Sequence, residues 1–147
     1  MANLILSGNP FTGRIPDELC NIRGLMGLYI ANTGVTAIPA RIGNCRSLKV
    51  LDLTNNKLRG RMPPGMGLLR ILETLALGSD NKNFNRMSGP LLPALGNLPN
   101  IKNLDVAYND FSGRIPATYG PFSIFKVAPE MTRFYGNNLS GNNLNPL

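Results

Sequence analysis

The sequence predicts a solenoid of the α/β type, in which short repeats stack into one parallel β-sheet. Three observations indicate this fold class. A motif recurs with starts at residues 1, 25, 48, 72 and 101, each copy has apolar residues in alternate positions, and Gly and Pro recur at fixed places after them. Alternation is typical of a strand with one buried face. A strand this short cannot bury that face alone, so neighbouring copies must stack.

The copies of the motif are similar but not identical. The third copy contains Leu48, Leu51, Leu53, Asn56, Leu58, Gly60, Met62 and Pro63. The second copy lacks one residue and has Thr33 in the place of the asparagine, and the fourth carries an insertion, Asp80–Phe84. The insertion either belongs to a binding face or is a tolerated polar loop. A helical alternative fails because Gly and Pro recur inside every candidate helix.

An asparagine follows the strand in most copies, at the point where the chain turns. Its amide carries donors and an acceptor, so it can pair with turn backbone that would otherwise be buried without a partner. The sequence therefore predicts a structural asparagine ladder, formed by Asn9, Asn56, Asn85, Asn109 and Asn137. The prolines that end the motif suit an extended return segment outside the sheet.

Three segments carry a resemblance to a known family: "FTGRIPDEL", "LKVLDLTNNKLRGRMP" and "IKNLDVAYNDFSGRIP". They resemble the plant-specific class of leucine-rich repeats, which builds the ectodomains of plant receptor-like kinases and the polygalacturonase-inhibiting proteins. The resemblance implies a right-handed leucine-rich repeat superhelix with a short-stranded parallel β-sheet on the concave face. It also implies a second short strand after the asparagine, and mostly loops and 3-10 turns on the convex side.

The C-terminal segment is similar to the end of many such ectodomains, where aromatic residues and a G-N-x-x-L-C-G element close the last repeat. The residues that fit this pattern are Phe122, Phe125, Phe134, Gly136, Asn137 and Leu139. Ser140 stands where the family has cysteine, so residues 117–147 form either a degenerate last repeat or a C-terminal cap. Both interpretations place Phe134 in the core of a single domain that spans residues 1–147.

The composition disfavours catalysis and nucleic-acid binding. The chain has no His, the commonest general base and metal ligand, and we predict no enzyme, no cofactor and no metal site. The net charge is +7, but the basic residues are scattered rather than clustered in a tail. No apolar stretch is long enough to span a membrane, and no signal peptide is recognisable. The chain then either stays inside the cell or is part of a longer protein, whereas the resemblance implies an extracellular or cell-surface location.

The two cysteines fall at different places in the repeat. Cys45 aligns with Ile22 of the first repeat, whereas Cys20 aligns with Gly43 of the second. From this offset we expect two unpaired thiols, with Cys45 filling the core. A disulfide requires α-carbons within roughly 7 Å of each other, which an alignment does not establish.

Side chains at outward-facing strand positions do not pack in the core, so recognition residues are expected there. The candidates for a ligand-binding concave face are Tyr29, Lys49, Asp52, Thr54, Asn55, Lys102, Asp105 and Tyr108. A shallow strip is expected on the fourth repeat, where the small residues Ala76, Gly78 and Ser79 stand, with Lys49 and Asp52 on one side and Lys102, Asp105 and Tyr108 on the other. Such a strip suits an extended peptide or a protein edge, because tyrosine is a frequent interface anchor. The alternative is a solvated polar face with incidental salt bridges.

The function expected from the resemblance to receptor ectodomains is recognition of a protein or peptide ligand, with a co-receptor as a further partner. The resemblance to polygalacturonase-inhibiting proteins implies the alternative, inhibition of a secreted cell-wall-degrading enzyme. Arg14, Arg61 and Arg114 occupy the same place in alternate repeats. This line of cations suits an acidic polysaccharide such as a pectin fragment, or else it serves solubility.

Overall fold

Six short strands form one parallel sheet in the computed structural model, which describes residues 2–81, 84–120 and 132–140. They are β1 (Ala2–Ile5), β3 (Leu25–Tyr29), β5 (Val50–Asp52), β7 (Thr74–Ala76), β9 (Asn103–Asp105) and β11 (Thr132–Arg133). Each strand pairs with the corresponding strand of the next repeat, so the order in the sheet follows the order in the chain. The predicted solenoid with a short-stranded parallel sheet is confirmed.

In each repeat a second short strand follows the strand of the first sheet, and these second strands form two smaller parallel sheets. They are β2 (Thr12–Arg14), β4 (Gly34–Ala37), β6 (Arg59–Gly60), β8 (Arg86–Gly89), β10 (Asp110–Arg114) and β12 (Asn138–Ser140). One sheet joins β2 to β4, and the other joins β6, β8, β10 and β12. The ladder of second strands, which we call the second sheet, is therefore interrupted between β4 and β6, whereas the first sheet is continuous.

Short 3-10 helices close the repeats on the side away from the sheet. They span Asp17–Asn21, Ile42–Asn44, Pro64–Leu68, Pro93–Asn97 and Ala117–Tyr119. Proline at or just before the start of most of them fixes a backbone angle that suits the first turn. Among the described residues, none of these helices is long enough and apolar enough to cross a membrane.

One continuous core runs through the solenoid between the sheet and the 3-10 helices. The central leucines of successive strands are fully buried and stack on one another: Leu28, Leu51, Leu75 and Leu104. Burying a leucine side chain contributes about 1.5–3 kcal/mol, so each added repeat is stabilised mainly by its contacts with its neighbours. Phe134 is also fully buried and stacks on Tyr119, with 6.2 Å between ring centroids.

The asparagines of the predicted ladder make the same bonds in successive repeats. Each of four side-chain amides donates to the carbonyl of the residue that directly follows the strand of the preceding repeat, in the pairs Asn56 with Ile30, Asn85 with Leu53, Asn109 with Leu77 and Asn137 with Val106. Their oxygens accept from the backbone N–H groups of Thr33, Leu58, Met87 and Phe111. Asn9 is exposed and donates to the carbonyls of Leu6 and Ser7 in its own turn. The three buried amides, Asn56, Asn85 and Asn109, and the partly buried Asn137 thus satisfy backbone groups that the stacked repeats remove from water.

The expectation of two unpaired thiols is wrong, because Cys20 and Cys45 form a disulfide with their α-carbons 4.5 Å apart. Cys20 lies within the first 3-10 helix, and Cys45 directly follows the second. A residue advances by only about 2 Å along a 3-10 helix, so the offset in the alignment amounts to a few ångströms in space. The stacking of neighbouring 3-10 helices closes that distance.

Where the structure describes it, the C-terminal segment adds one strand to the six-stranded sheet and one strand to the four-stranded sheet. β11 pairs with β9, and β12 pairs with β10. Residues 132–140 therefore continue the stacking of the preceding repeats. Phe122 and Phe125, the other aromatic residues of the predicted closing element, lie outside the described residues.

Candidate functional site

A single column of outward-facing side chains crosses all six strands of the first sheet. The register places these residues side by side in the order Ile5, Tyr29, Asp52, Ala76, Asp105 and Arg133. Each is the last residue of its strand and follows an inward-facing residue, because successive side chains of a strand point to opposite faces. We call the solvent side of this sheet, which is predicted to be concave, the sheet face.

Asp52 is held rigidly at the centre of this column. One of its carboxylate oxygens accepts hydrogen bonds from the backbone N–H of Thr54 at 3.1 Å and from the Thr54 hydroxyl at 2.8 Å. Both bonds use Oδ1, and the residue remains partly exposed beside Tyr29 of the neighbouring strand. Asp52 therefore presents a fixed acceptor on the sheet face, with Thr54 as the residue that orients it.

Asp105 is a largely buried acid of the sheet face. Its side chain is 17% exposed and forms an ion pair with Arg133 of the next strand, at 2.6 Å between Oδ2 and Nη1. The other oxygen accepts the Ala107 backbone N–H at 3.0 Å. Burial raises the pKa of the Asp105 carboxyl, while the Ala107 N–H and the Arg133 guanidinium oppose the rise. The pair is thus partly desolvated, which strengthens its electrostatic interaction with a bound group.

Tyr108 adopts a backbone conformation that is uncommon for a bulky residue. Its φ is 53°, in the left-handed region, where asparagine is tolerated more readily. Asn32 and Asn55 occupy the equivalent turns of two earlier repeats with the same conformation. The Tyr108 ring lies against Gly136, where an added Cβ would collide with it, and meets Tyr135 edge to face at 5.3 Å. The uncommon backbone conformation makes Tyr108 a candidate residue of the site at the border of the sheet face.

Replacing Tyr108 with asparagine is expected to leave the free energy of unfolding within about 1 kcal/mol of the parent, because relief of backbone strain offsets the loss of ring contacts. Tyr108→Val is the matched control, because it also removes the ring but places a β-branched residue at the same positive φ. We expect that variant to lose about 2 kcal/mol in urea unfolding. Equal losses in the two variants would mean that ring packing, rather than backbone strain, governs stability at this position.

The charged residues that directly precede three neighbouring strands pair with one another rather than with Asp52 or Asp105. Glu73 lies between the two lysines, with its carboxylate oxygens 3.7 Å from Nζ of Lys49 and 3.0 Å from Nζ of Lys102. The hydrogen bond from Lys102 and its charge lower the pKa of Glu73. The lysines therefore balance Glu73, whereas Asp105 is balanced by Arg133. Glu73 is missing from the predicted site, although its place in the repeat matches that of both lysines.

The strip of small residues predicted on the fourth repeat is not an open channel. Ser79 is 2% exposed, and its hydroxyl accepts the Asn85 N–H at 3.0 Å. The Asp105 carboxylate leans over Gly78 so closely that a Cβ there would collide with it. Asn55 is also nearly buried, and its amide bonds to Asn32 and Asp80. Of the fourth strand, Ala76 remains partly exposed on the sheet face.

Comparisons with known proteins agree with this architecture. A family model described as Leucine Rich Repeat matches residues 2–22 and 47–69. Receptor-like protein 41 of Arabidopsis thaliana is 33% identical over 118 residues, which cover 78% of this chain. The chain spans 13% of the length of that receptor-like protein. The matched region is therefore a small part of a much longer relative.

Two solved structures from Arabidopsis thaliana resemble this chain over nearly its whole length. The BIR2 ectodomain is 31% identical, with a TM-score of 0.80, and the match covers 96% of this chain and 70% of that chain. The ectodomain of the receptor kinase GASSHO1/SCHENGEN3, solved in complex with CASPARIAN STRIP INTEGRITY FACTOR 2, is 33% identical, with a TM-score of 0.78. That match covers 92% of this chain and 15% of the receptor chain.

Proposed function

Because the chain belongs to the leucine-rich repeat family of plant receptor-like proteins and receptor ectodomains, we propose that it is a recognition module that binds a peptide or protein partner across its sheet face. The observation that carries the proposal is the group formed by Asp105, Arg133, Tyr108 and Tyr135 on the last strands of the sheet and the turns that follow them. It combines two aromatic rings with a partly desolvated ion pair, and these are frequent components of binding hot spots.

The chemistry of the sheet face favours an extended ligand that carries both polar and aromatic or apolar groups. Tyr29 and Asp52 lie side by side on neighbouring strands, and Asp105 and Arg133 do so two strands further on. Ala76 separates the two pairs, so a ligand must span several repeats to contact both. An extended peptide fits such a surface because its alternate side chains can reach successive strands.

A secreted peptide is the ligand class that we propose. The similarity to the solved plant peptide hormone receptor RGFR1, which is 33% identical with a TM-score of 0.80, supports a peptide ligand. The similarity to ectodomains also supports an extracellular or cell-surface location, and a second receptor acting as co-receptor fits a module of this kind. Inhibition of a secreted polygalacturonase stays a prediction, because it requires an acidic and aromatic patch, of which Asp52 and Tyr29 supply only a part.

The proposal is tested by measuring binding of the purified chain to secreted plant peptides, receptor ectodomains and polygalacturonases at physiological ionic strength. We expect a saturable interaction with a peptide that weakens at least about tenfold in Tyr108→Ala, the usual effect of removing an aromatic hot spot. Asp52→Lys should also weaken it, because it reverses the charge at the centre of the column.

Arg46→Ala is the control, because Arg46 is exposed on the opposite side of the solenoid, just after a 3-10 helix. Circular dichroism should verify that every variant is folded. Binding that responds equally to Arg46→Ala and Tyr108→Ala would exclude a site on the sheet face. Binding of a polygalacturonase alone, with loss of its activity, would select the inhibitor function.

A further inference from the structure

An open groove lies on the flank of the solenoid, where the second set of strands is interrupted. β2 pairs with β4, and β6 pairs with β8, but no ladder joins β4 to β6 within the described residues. The Lys57 N–H donates to the Val35 carbonyl just before the interruption. Beyond this bond the two repeats separate and leave a groove of about 360 Å³.

The missing residue of the second repeat accounts for the groove. In four other repeats a glycine bends the second strand with a positive φ, between 77° and 84°: Gly13, Gly60, Gly89 and Gly113. The second repeat has no such glycine, and β4 runs directly through Thr36 and Ala37 to Ile38. Gly13 pairs with Val35 and Arg14 with Ala37, so the register with β2 shifts at this point. Without the bend, β4 does not follow the path of β6 and cannot pair with it.

The groove combines a cationic rim with an apolar floor. Arg14, Arg59 and Arg61 line it, and no carboxylate does. None of these three arginines forms an ion pair within the described part of the chain. Two of them are held in place: Arg59 donates to the carbonyls of Leu58 and Phe84, and the stem of Arg61 lies across Gly89. The accessible part of the floor is formed by Ala37, Pro63 and Pro64, and the buried Ile38, Met62 and Met87 complete the lining.

We propose that this flank groove binds an extended acidic segment of a partner protein, with an apolar side chain on the apolar floor and carboxylates on the arginines. Three uncompensated cations in one depression attract an acidic ligand. Arginine pairs with carboxylate in a two-bond geometry. The proposed surface is separate from the sheet face and does not depend on the function proposed for it.

A peptide fits the groove better than an acidic polysaccharide does. Its floor is apolar, and no aromatic residue lines it on which a sugar ring could stack. Arg114, which completes the predicted line of cations, lies in β10 within the continuous sheet and does not line the groove.

The test uses a fluorescein-labelled synthetic peptide with alternating glutamate and leucine residues, and its fluorescence anisotropy is titrated with the purified chain. We expect saturable binding that weakens about fivefold or more in the Arg59→Gln/Arg61→Gln variant, because two charge contacts are lost. Arg114→Gln is the matched control, since Arg114 has the same place in its repeat as Arg61, and should change the dissociation constant less than about twofold. A peptide with serine in place of leucine should bind about fivefold more weakly, because the floor is apolar.

Inserting one glycine between Thr36 and Ala37 tests the origin of the groove. This variant restores the length of the repeat, so we expect β4 to pair with β6 and peptide binding to be lost while circular dichroism is unchanged. The proposal is overturned if the peptide does not bind, if Arg114→Gln weakens binding as much as the groove variant, or if the serine peptide binds equally well. It is also overturned if an oligogalacturonide binds with the same dependence on Arg59 and Arg61 while the peptide does not.

Discussion

Replacing Asn109 with leucine is expected to lower the free energy of unfolding by about 4 kcal/mol, because each buried backbone group left without a partner costs about 1–3 kcal/mol. The Asn109 amide donates to the carbonyls of Leu77 and Val106 at 2.9 and 3.1 Å, and its oxygen accepts the Met87 N–H at 2.9 Å. Leucine has a similar size but can form none of these bonds. The groups that it would leave unpaired belong to two repeats, so the interface between them is weakened as well as the turn.

Urea unfolding followed by circular dichroism measures this loss. Asn9→Leu is the control, since Asn9 has the same place in the motif but is exposed and donates within its own turn. We expect that variant to lose less than about 1 kcal/mol, because water can replace its bonds. Similar losses at Asn9 and Asn109 would show that the side chain stabilises the turn locally and that the ladder between repeats contributes little.

The sheet could be predicted from the sequence because one repeated pattern specifies both its strands and their register. Leu51, Leu75 and Leu104 have the same place in the motif and lie opposite one another in the structure. A solenoid requires only that equivalent residues stack, so an alignment of the copies also gives the order of the strands. The same reasoning placed Tyr29, Asp52 and Asp105 in one outward-facing column.

Interactions that depend on side-chain reach could not be predicted in this way. The Asp105 carboxylate pairs with Arg133 and lies over Gly78, and Glu73 forms ion pairs with both Lys49 and Lys102. The charged side chains could reach several neighbours at similar distances, so the alignment does not decide which pairs form. Ser79 is buried since the insertion that follows it brings the Asn85 N–H to its hydroxyl. An alignment gives the position of a residue along the chain, whereas these contacts depend on orientation.

The interruption of the second sheet shows how a small change in sequence escapes a repeat-based prediction. The absence of one residue from the second repeat is visible in the alignment, but its effect depends on the backbone conformation of the missing glycine. Equivalent glycines such as Gly60 and Gly89 have positive φ, which few other residues adopt. The deletion therefore removes a bend as well as a residue, and pairing with β6 is lost.

The second large effect is expected from the disulfide between Cys20 and Cys45. The Cys20→Ser/Cys45→Ala variant should have a free energy of unfolding about 3 kcal/mol below that of the parent. The reason is that the disulfide closes a loop and so lowers the conformational entropy of the unfolded chain. The sequence separation of the two cysteines is 25 residues. The effect should be concentrated in the first repeat, because the 3-10 helix Asp17–Asn21 has no fully buried side chain and depends on such a link.

Hydrogen exchange distinguishes this local effect from a general loss of stability. In the double variant we expect faster exchange at the backbone amides of Leu19 and Ile22, which bond within that 3-10 helix, and unchanged exchange in β9. Reducing the parent protein with dithiothreitol should have the same result, and this control leaves the volume of both side chains unaltered. If exchange in the first repeat were insensitive to reduction, contacts such as the bond from the Arg41 N–H to Asp17 would be sufficient to hold the helix in place. Faster exchange there and in β9 alike would mean instead that the repeats unfold as one cooperative unit, so that a link at one end stabilises the whole solenoid.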